Sequence, residues 1–189
     1  DRITGIRDPD PRVVALLNRI PFHPLLFAAY AVLFLYSVNL DLALPVDAAA
    51  PLARALLGAG LAWLALAVVF RDARRGAVVA TALVVAFYGY GHVASLVTGT
   101  GAGDVVQLLA WAGVLVGAIV YAARANGTLP RVTGALNIIA IVLVVVSLTT
   151  ILPREADRAG RGSAVVAGTV AAGATPTTRR DIYFLVFDR

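Results

Sequence analysis

Five apolar stretches, each about as long as a membrane is thick, constrain this chain more than any other feature. A helix needs about 20 mostly apolar residues to cross a hydrocarbon core of about 30 Å. We place five predicted spans at residues 24–44, 51–70, 76–97, 105–123 and 132–152. Lipid tolerates only helices or closed barrels, and these stretches are longer than strands. The sequence therefore predicts an all-α membrane bundle of five transmembrane helices.

Composition agrees with a membrane protein and excludes several kinds of site. Hydrophobic residues make up 60% of the chain and charged residues only 14%, whereas soluble domains are about 45–50% apolar and about 25% charged. The chain has no cysteine, which excludes disulfides and thiolate metal sites. The formal net charge is +5. Because the arginines lie between apolar stretches, we assign this charge to membrane topology and expect no nucleic-acid partner.

The positions of the arginines predict an orientation. Arginines occur before the first span and in the loops at 71–75 and 124–131, but not at 41–50 or 99–104. Cytoplasmic loops are the ones enriched in Lys and Arg. The pattern therefore predicts a multi-pass protein of the cell membrane with a cytoplasmic N-terminus and, after five crossings, an exterior C-terminus.

These assignments predict the domain organisation of the chain. A cytoplasmic segment (1–23) precedes the transmembrane domain (24–152), and a strand (181–189) comes last. Between them we expect a flexible exterior linker (153–180), rich in Gly, Ala, Ser and Thr, with one short helix near residues 154–159. The chain begins at Asp1 and contains no Met, so we expect further residues to precede it.

The last residues, "RRDIYFLVFDR", differ from everything before them. The almost unbroken apolar run at 182–187 is typical of a strand buried on both faces of a parallel sheet. Asp188 follows this run at the carboxyl end, where open α/β sheets bind their ligands. A carboxylate there suits a divalent metal. On the residues alone, a strand that ends in a polar turn without a ligand is the open alternative.

This closing segment resembles the opening strand of membrane-anchored sulfatase-like hydrolases of the alkaline phosphatase superfamily. That strand commonly reads Arg-Pro-Asp-Ile-Tyr-Tyr, then apolar residues, then Asp before Gly or Arg. Here Arg180, Asp181, Ile182 and Tyr183 open the strand and Asp188 closes it. Two departures from the commonest pattern are the pair of arginines, Arg179 and Arg180, in place of Arg-Pro, and Arg189 in place of the more usual glycine after Asp188. Five spans, an exterior linker and this strand are also similar to the layout of lipoteichoic acid synthases and phosphoethanolamine transferases.

The resemblance implies that Asp188 is the first metal ligand of a truncated α/β catalytic domain. One or two divalent metals (Zn, Mn, Ca or Mg) in the full-length protein would then activate a Ser or Thr nucleophile. The reaction would be hydrolysis or transfer of a phosphoryl or sulfuryl group on a lipid-linked or cell-envelope substrate. We expect these 189 residues to lack a complete active site, and the strand at 182–187 to be poorly ordered without the rest of its sheet.

Polar residues near the ends of the spans provide a second candidate site. Asn39, Asp41, His92 and Asp104 fall at one level, on the predicted exterior side. We hypothesise that they line a groove for a lipid headgroup or lipid-linked substrate, because ionisable residues within membranes are often functional. The alternative is ordinary interface chemistry, in which polar groups simply favour the headgroup level.

Four other residues are assigned no role in a binding site. Asn137 is the exception to this polar level, because it lies near the inner end of the fifth span. His23 is interpreted as an interfacial residue beside Pro24. Gly113 and Gly117 form a small-xxx-small pattern, which indicates close packing against another helix of the same chain, with a dimer interface as the alternative.

Three functions fit the sequence. The first is the membrane anchor of an exterior-facing, metal-dependent sulfatase-like hydrolase or phospho-group transferase. The second is a non-enzymatic five-span protein that acts as a partner subunit or scaffold. The third is a small transporter, which requires charged residues deep in the bundle, and the five spans offer none there.

Overall fold

The described part of the chain is entirely helical. The computed structural model describes residues 15, 17, 19–97, 101–125 and 127–167. Within them the helices are α1 (His23–Val38), α2 (Pro45–Phe70), α3 (Ala73–Val97), α4 (Gly101–Arg124) and α5 (Leu129–Ala167). No strand occurs in these ranges, and the predicted strand at 181–189, with Asp188, lies outside them.

Helices α2 to α5 are long and apolar enough to cross a membrane, which confirms a membrane-type helical protein. Helix α1 has 16 residues, or about 24 Å at a rise of about 1.5 Å per residue. The first predicted span, at residues 24–44, is therefore not confirmed as a membrane crossing. Its prediction ran to Leu44, but the backbone N–H groups of Leu42 and Ala43 bond to the carbonyl of Asn39 in a turn, where Asn and Asp are favoured.

Helix α2 begins at Pro45, within the loop that the sequence predicts at residues 41–50. Proline is favoured at the first helical position, where its missing N–H is not needed. The carboxylate of Asp47 accepts a hydrogen bond from the N–H of Leu44 at 2.8 Å. This bond satisfies one of the N–H groups that a helix leaves unpaired at its start. The first turn of α2 is therefore closed by a local cap that the hydropathy pattern does not show.

Helix α5 is also longer than its predicted span. It continues through Pro153 to Ala167, so residues 153–167 of the predicted linker are helical. Glu155 and Arg158, one turn apart, form an ion pair at 2.8 Å, which supports a helix locally. The chain divides into two compact units, Asp1–Arg154 and Glu155–Arg189. The contacts and cavities described below belong to the first unit, which includes α5 up to Arg154.

Small residues let the first three helices approach one another closely. Ala28 of α1, Ala55 and Ala59 of α2, and Val84 of α3 form a buried cluster. At the turn between α2 and α3, a Cβ on Gly76 would lie 2.4 Å from the backbone nitrogen of Ala67. Only glycine fits this position without moving the backbone.

The predicted small-xxx-small contact with another helix of the same chain is wrong within the described residues. A Cβ added at Gly113 or Gly117 would meet nothing within 4 Å. The close contact between α3 and α4 instead occurs at Gly89, where an added Cβ would lie 3.1 Å from the Trp111 ring. Gly89, the glycine at the contact between α3 and α4, is therefore not part of the Gly113-xxx-Gly117 pattern.

The two arginine-bearing turns lie together at one end of the bundle, which we call the arginine end. The guanidinium of Arg75 donates to the carbonyls of Ala123 at 2.9 Å and Ala125 at 3.2 Å, where α4 ends. Asp72 accepts hydrogen bonds from the backbone N–H groups of Arg74 and Arg75 and so caps α3. A positive side chain at a helix C-terminus is favourable, because it meets unpaired carbonyls.

Helix α5 runs from the arginine end to the other end of the bundle. Near its start, Leu129 packs in a cluster with Val78 of α3. Further along, Ile151 packs with Tyr36, and Arg154 pairs with Asp41 at 3.5 Å. We call the end that contains the turn at residues 39–44 the loop end. The two ends differ in charge because the arginine-bearing turns lie at one of them only.

Candidate functional site: a groove between α1 and α3

Helices α1 and α3 enclose a partly open cavity of about 540 Å³, which we call the aromatic groove. This volume falls within the range of about 300–1,000 Å³ that is typical of small-molecule pockets. Its walls are mainly apolar and aromatic, with two tyrosines and one histidine. The lining residues are Phe27, Tyr30, Ala31, Phe34, Leu35, Val84, Val85, Tyr88, Gly89 and His92.

Helical spacing explains why these residues share one cavity. On α1 the lining positions recur every three or four residues, from Phe27 through Tyr30 to Phe34. On α3 the same spacing relates Val84, Tyr88 and His92. Residues three or four apart lie on one face of a helix, so each helix contributes one wall.

The aromatic rings form a contact series that ends at His92. The ring centroids of Tyr30 and Phe34 are 5.7 Å apart. The rings of Phe34 and His92 follow at 6.1 Å, with an edge-on angle of 74°. These distances are favourable for aromatic pairs. The contact holds the imidazole at the loop end of the groove.

This arrangement suits a ligand with one polar end and a long apolar part. The apolar walls can pack against a hydrocarbon chain, and van der Waals packing of this kind drives association within a bilayer. The imidazole of His92 can donate or accept a hydrogen bond, and in its protonated form it attracts an anion. A molecule with an anionic headgroup and a hydrocarbon chain combines both features.

The other predicted site residues lie at the same end of the bundle but not in this groove. Asn39 closes α1 by donating from its side chain to the carbonyl of Leu35 at 2.7 Å. It lines a separate cavity of about 260 Å³ between α1 and α2, together with Asp47. The structure therefore places Asn39 and His92 in different cavities.

The two predicted aspartates lie on the surface. Asp41 pairs with Arg154 at 3.5 Å, with 87% of its own side chain exposed. Such an exposed pair contributes little stability, about 0–1 kcal/mol. Asp104 is exposed in the first turn of α4 and lines neither cavity. Of the four predicted residues, only His92 therefore belongs to the aromatic groove.

Sequence reasoning missed a set of buried polar side chains at the arginine end. His23, interpreted as interfacial, is instead fully buried, and its Nδ1 lies 2.6 Å from the hydroxyl of Thr81. Thr133 and Asn137 of α5 are also fully buried. We call these four residues the buried polar cluster. The spacing of Thr133 and Asn137, four residues apart in an apolar helix, is the signal that could have revealed it.

The described residues contain no group of three or more His, Asp or Glu side chains that could hold a metal ion. The predicted metal ligand, Asp188, lies outside those residues. No protein-family model, curated protein or solved structure matches this chain. The similarity of the closing segment to sulfatase-like enzymes therefore stays a prediction, and a function has to be argued from the groove and the sequence.

Proposed function

We propose that this chain is the membrane domain of an exterior-facing, metal-dependent sulfatase-like hydrolase or phospho-group transferase, and that the aromatic groove holds its lipid-linked substrate. The observation that carries the proposal is the groove itself, which joins apolar walls to an imidazole at the loop end. A passive anchor or scaffold needs helices but no such cavity. An enzyme that acts on a lipid headgroup needs a place for the hydrocarbon chain.

The proposed topology has five crossings, with the arginine end in the cytoplasm. Helix α1 would make a short crossing, which membranes accommodate by local thinning or by movement of flanking side chains. The loop end, with His92, would then face the exterior. A substrate chain in the groove would present its headgroup on that side.

The roles of the residues follow from this arrangement. Phe27, Tyr30 and Tyr88 would contact the hydrocarbon chain, and His92 would bind the anionic headgroup. Asp188 and ligands that follow Arg189 in the gene product would hold the divalent metal (Zn, Mn, Ca or Mg). The metal's contribution is to activate the hydroxyl nucleophile and stabilise charge on the transferred group.

Filling the groove tests its role. Ala31 lines the groove, so the larger side chain of Ala31→Trp would occupy the space for a hydrocarbon chain. In the full gene product, we expect this variant to lose most turnover of a lipid-linked phosphoester while it retains turnover of a small soluble ester. The matched control is Ala110→Trp, which places the same side chain in a cavity of about 270 Å³ between α3 and α4. Equal lipid turnover by the two variants would contradict the groove's role.

A second variant tests the enzyme class. Asp188→Asn keeps the size of the side chain but removes its negative charge, so we expect metal-dependent turnover of both esters to be lost. Full activity of this variant would contradict the sulfatase-like assignment without bearing on the groove. If the full gene product turned over neither ester with any of the four metals, the scaffold alternative would be favoured.

A further inference from the structure

The buried polar cluster contains polar atoms that the described residues leave without a partner. These atoms are Nε2 of His23, Oγ1 of Thr133 and Oδ1 of Asn137. All three side chains have 0% of their surface exposed. Buried polar atoms in native proteins nearly always have a hydrogen-bond partner, either in the protein or in ordered water. Three such atoms at one end of the bundle therefore require an explanation.

The start of α1 and the start of α5 are joined at this cluster. The side-chain amide of Asn137 donates to the carbonyls of Leu17 at 2.7 Å and Ile20 at 2.8 Å. A tight turn, in which the N–H of Phe22 bonds to the carbonyl of Ile20 at 3.1 Å, then leads to His23. Only this turn separates the amide of Asn137 from the backbone of His23.

Helix α3 packs against the same region. Thr81 contacts His23 through its hydroxyl. One turn earlier on α3, Val78 packs with Leu129 near the start of α5. Thr133 lies one turn before Asn137, on the same face of α5, where side chains four apart are neighbours. The residues that carry the three unpartnered atoms therefore lie where α1, α3 and α5 come together.

The chemistry of these atoms selects a small neutral ligand that both donates and accepts. The carbonyl oxygen of Asn137 only accepts, whereas the hydroxyl of Thr133 can do either. In a neutral imidazole one nitrogen donates and the other accepts, so Nε2 of His23 takes the role that Nδ1 does not take with Thr81. Water meets all these requirements and is commonly held by two to four polar groups in protein interiors.

We propose that the buried polar cluster is a water-binding site, in which an ordered water joins His23 at the start of α1 to Thr133 and Asn137 of α5. The water completes the hydrogen bonds of a region where three helices meet. It fixes the start of α5 against α1 and α3. This site lies at the opposite end of the bundle from His92 and does not depend on the proposed enzyme function.

The direction in which one substitution shifts the midpoint of thermal unfolding tests the site. Thr133→Val keeps the shape of the side chain and replaces its hydroxyl with a methyl group. If that hydroxyl binds water, the variant loses a hydrogen bond, and we expect its midpoint of thermal unfolding to fall by about 2–4 °C. If the hydroxyl has no partner, its removal relieves an unfavourable burial, and an unchanged or raised midpoint would overturn the proposal.

A matched control removes the general effect of changing threonine to valine in α5. Thr149 is exposed and donates to the carbonyl of Val146 within its own helix at 2.7 Å, so Thr149→Val gives the baseline. The fall expected for Thr133→Val is measured beyond this baseline. Both variants would be followed by tryptophan fluorescence of Trp63 and Trp111 in the same detergent.

The water can also be observed directly, because the chain has two histidines. In protein labelled with ¹⁵N-histidine, the signals of the two rings are distinguished by the His92→Gln variant. We expect magnetisation transfer between the buried His23 ring and a long-lived water. Its absence in the wild-type protein would overturn the proposal. So would a midpoint that rises in NaCl but not in choline chloride, because a bound cation would then replace the water.

Discussion

At the scale of single residues, Gly76 is where the backbones of α2 and α3 meet. A Cβ there would lie 2.4 Å from the nitrogen and 2.7 Å from the Cα of Ala67, and neither atom can move like a flexible side chain. We predict that Gly76→Ala lowers the free energy of unfolding by about 1–3 kcal/mol, measured by denaturant unfolding in detergent. Gly113→Ala is the control, because open space surrounds Gly113 and alanine favours a helix. An equal loss in both variants would contradict this account.

The residues that could be recognised from the sequence differ from those that hold the bundle together. The arginines were interpreted through charge bias alone, yet Arg75 also donates to two carbonyls at the end of α4. Charge bias can be recognised along the sequence. The carbonyl of Ala123 that Arg75 contacts lies 48 residues further along the chain and cannot be recognised in that way. For the same reason His92 could be selected as a polar residue near a span end, but its position beside Phe34 could not.

At the scale of helices, the apolar middles of the spans were predictable and their ends were not. Burial in lipid acts on about 20 residues together, so a run of apolar residues is a strong signal. A helix end depends on a few local bonds, such as the cap formed by Asp47 and the turn that begins at Asn39. The groove has the same limitation. The helical spacing predicts which residues share one face of α1 or of α3. It does not predict that α1 packs against α3 rather than against another helix.

The cap of α2 gives a prediction at this scale. Asp47→Ala removes the acceptor for the N–H of Leu44, so we expect the first turn of α2 to fray and the free energy of unfolding to fall by about 0.3–1.5 kcal/mol. Hydrogen exchange should become faster at the amides of Leu44 and Val46. Asp104→Ala is a control that removes an exposed carboxylate from the first turn of α4. If exchange near residue 44 were unchanged by Asp47→Ala, the cap would not hold this turn.

At the scale of the whole molecule, we expect the charge difference between the two ends to decide which face of the membrane each end meets. The chain has no cysteine, so single cysteines can report their side by labelling with a membrane-impermeant maleimide. We predict that Leu42→Cys, at the loop end, is labelled on intact cells. Arg131→Cys, at the arginine end, should be labelled only after permeabilisation, because arginine-rich loops stay in the cytoplasm.

A third position decides the role of α1. Ala15 precedes α1 and is exposed, so in a five-span protein Ala15→Cys behaves like Arg131→Cys. Labelling of Ala15→Cys on intact cells would mean that α1 does not cross, which leaves four crossings. The side reached by Arg154 would not change, since Arg154 still pairs with Asp41 at the loop end. The exterior-facing function therefore depends on the labelling of Leu42→Cys and Arg131→Cys. If Arg131→Cys but not Leu42→Cys were labelled on intact cells, the loop end would lie in the cytoplasm. That result would contradict the exterior-facing function.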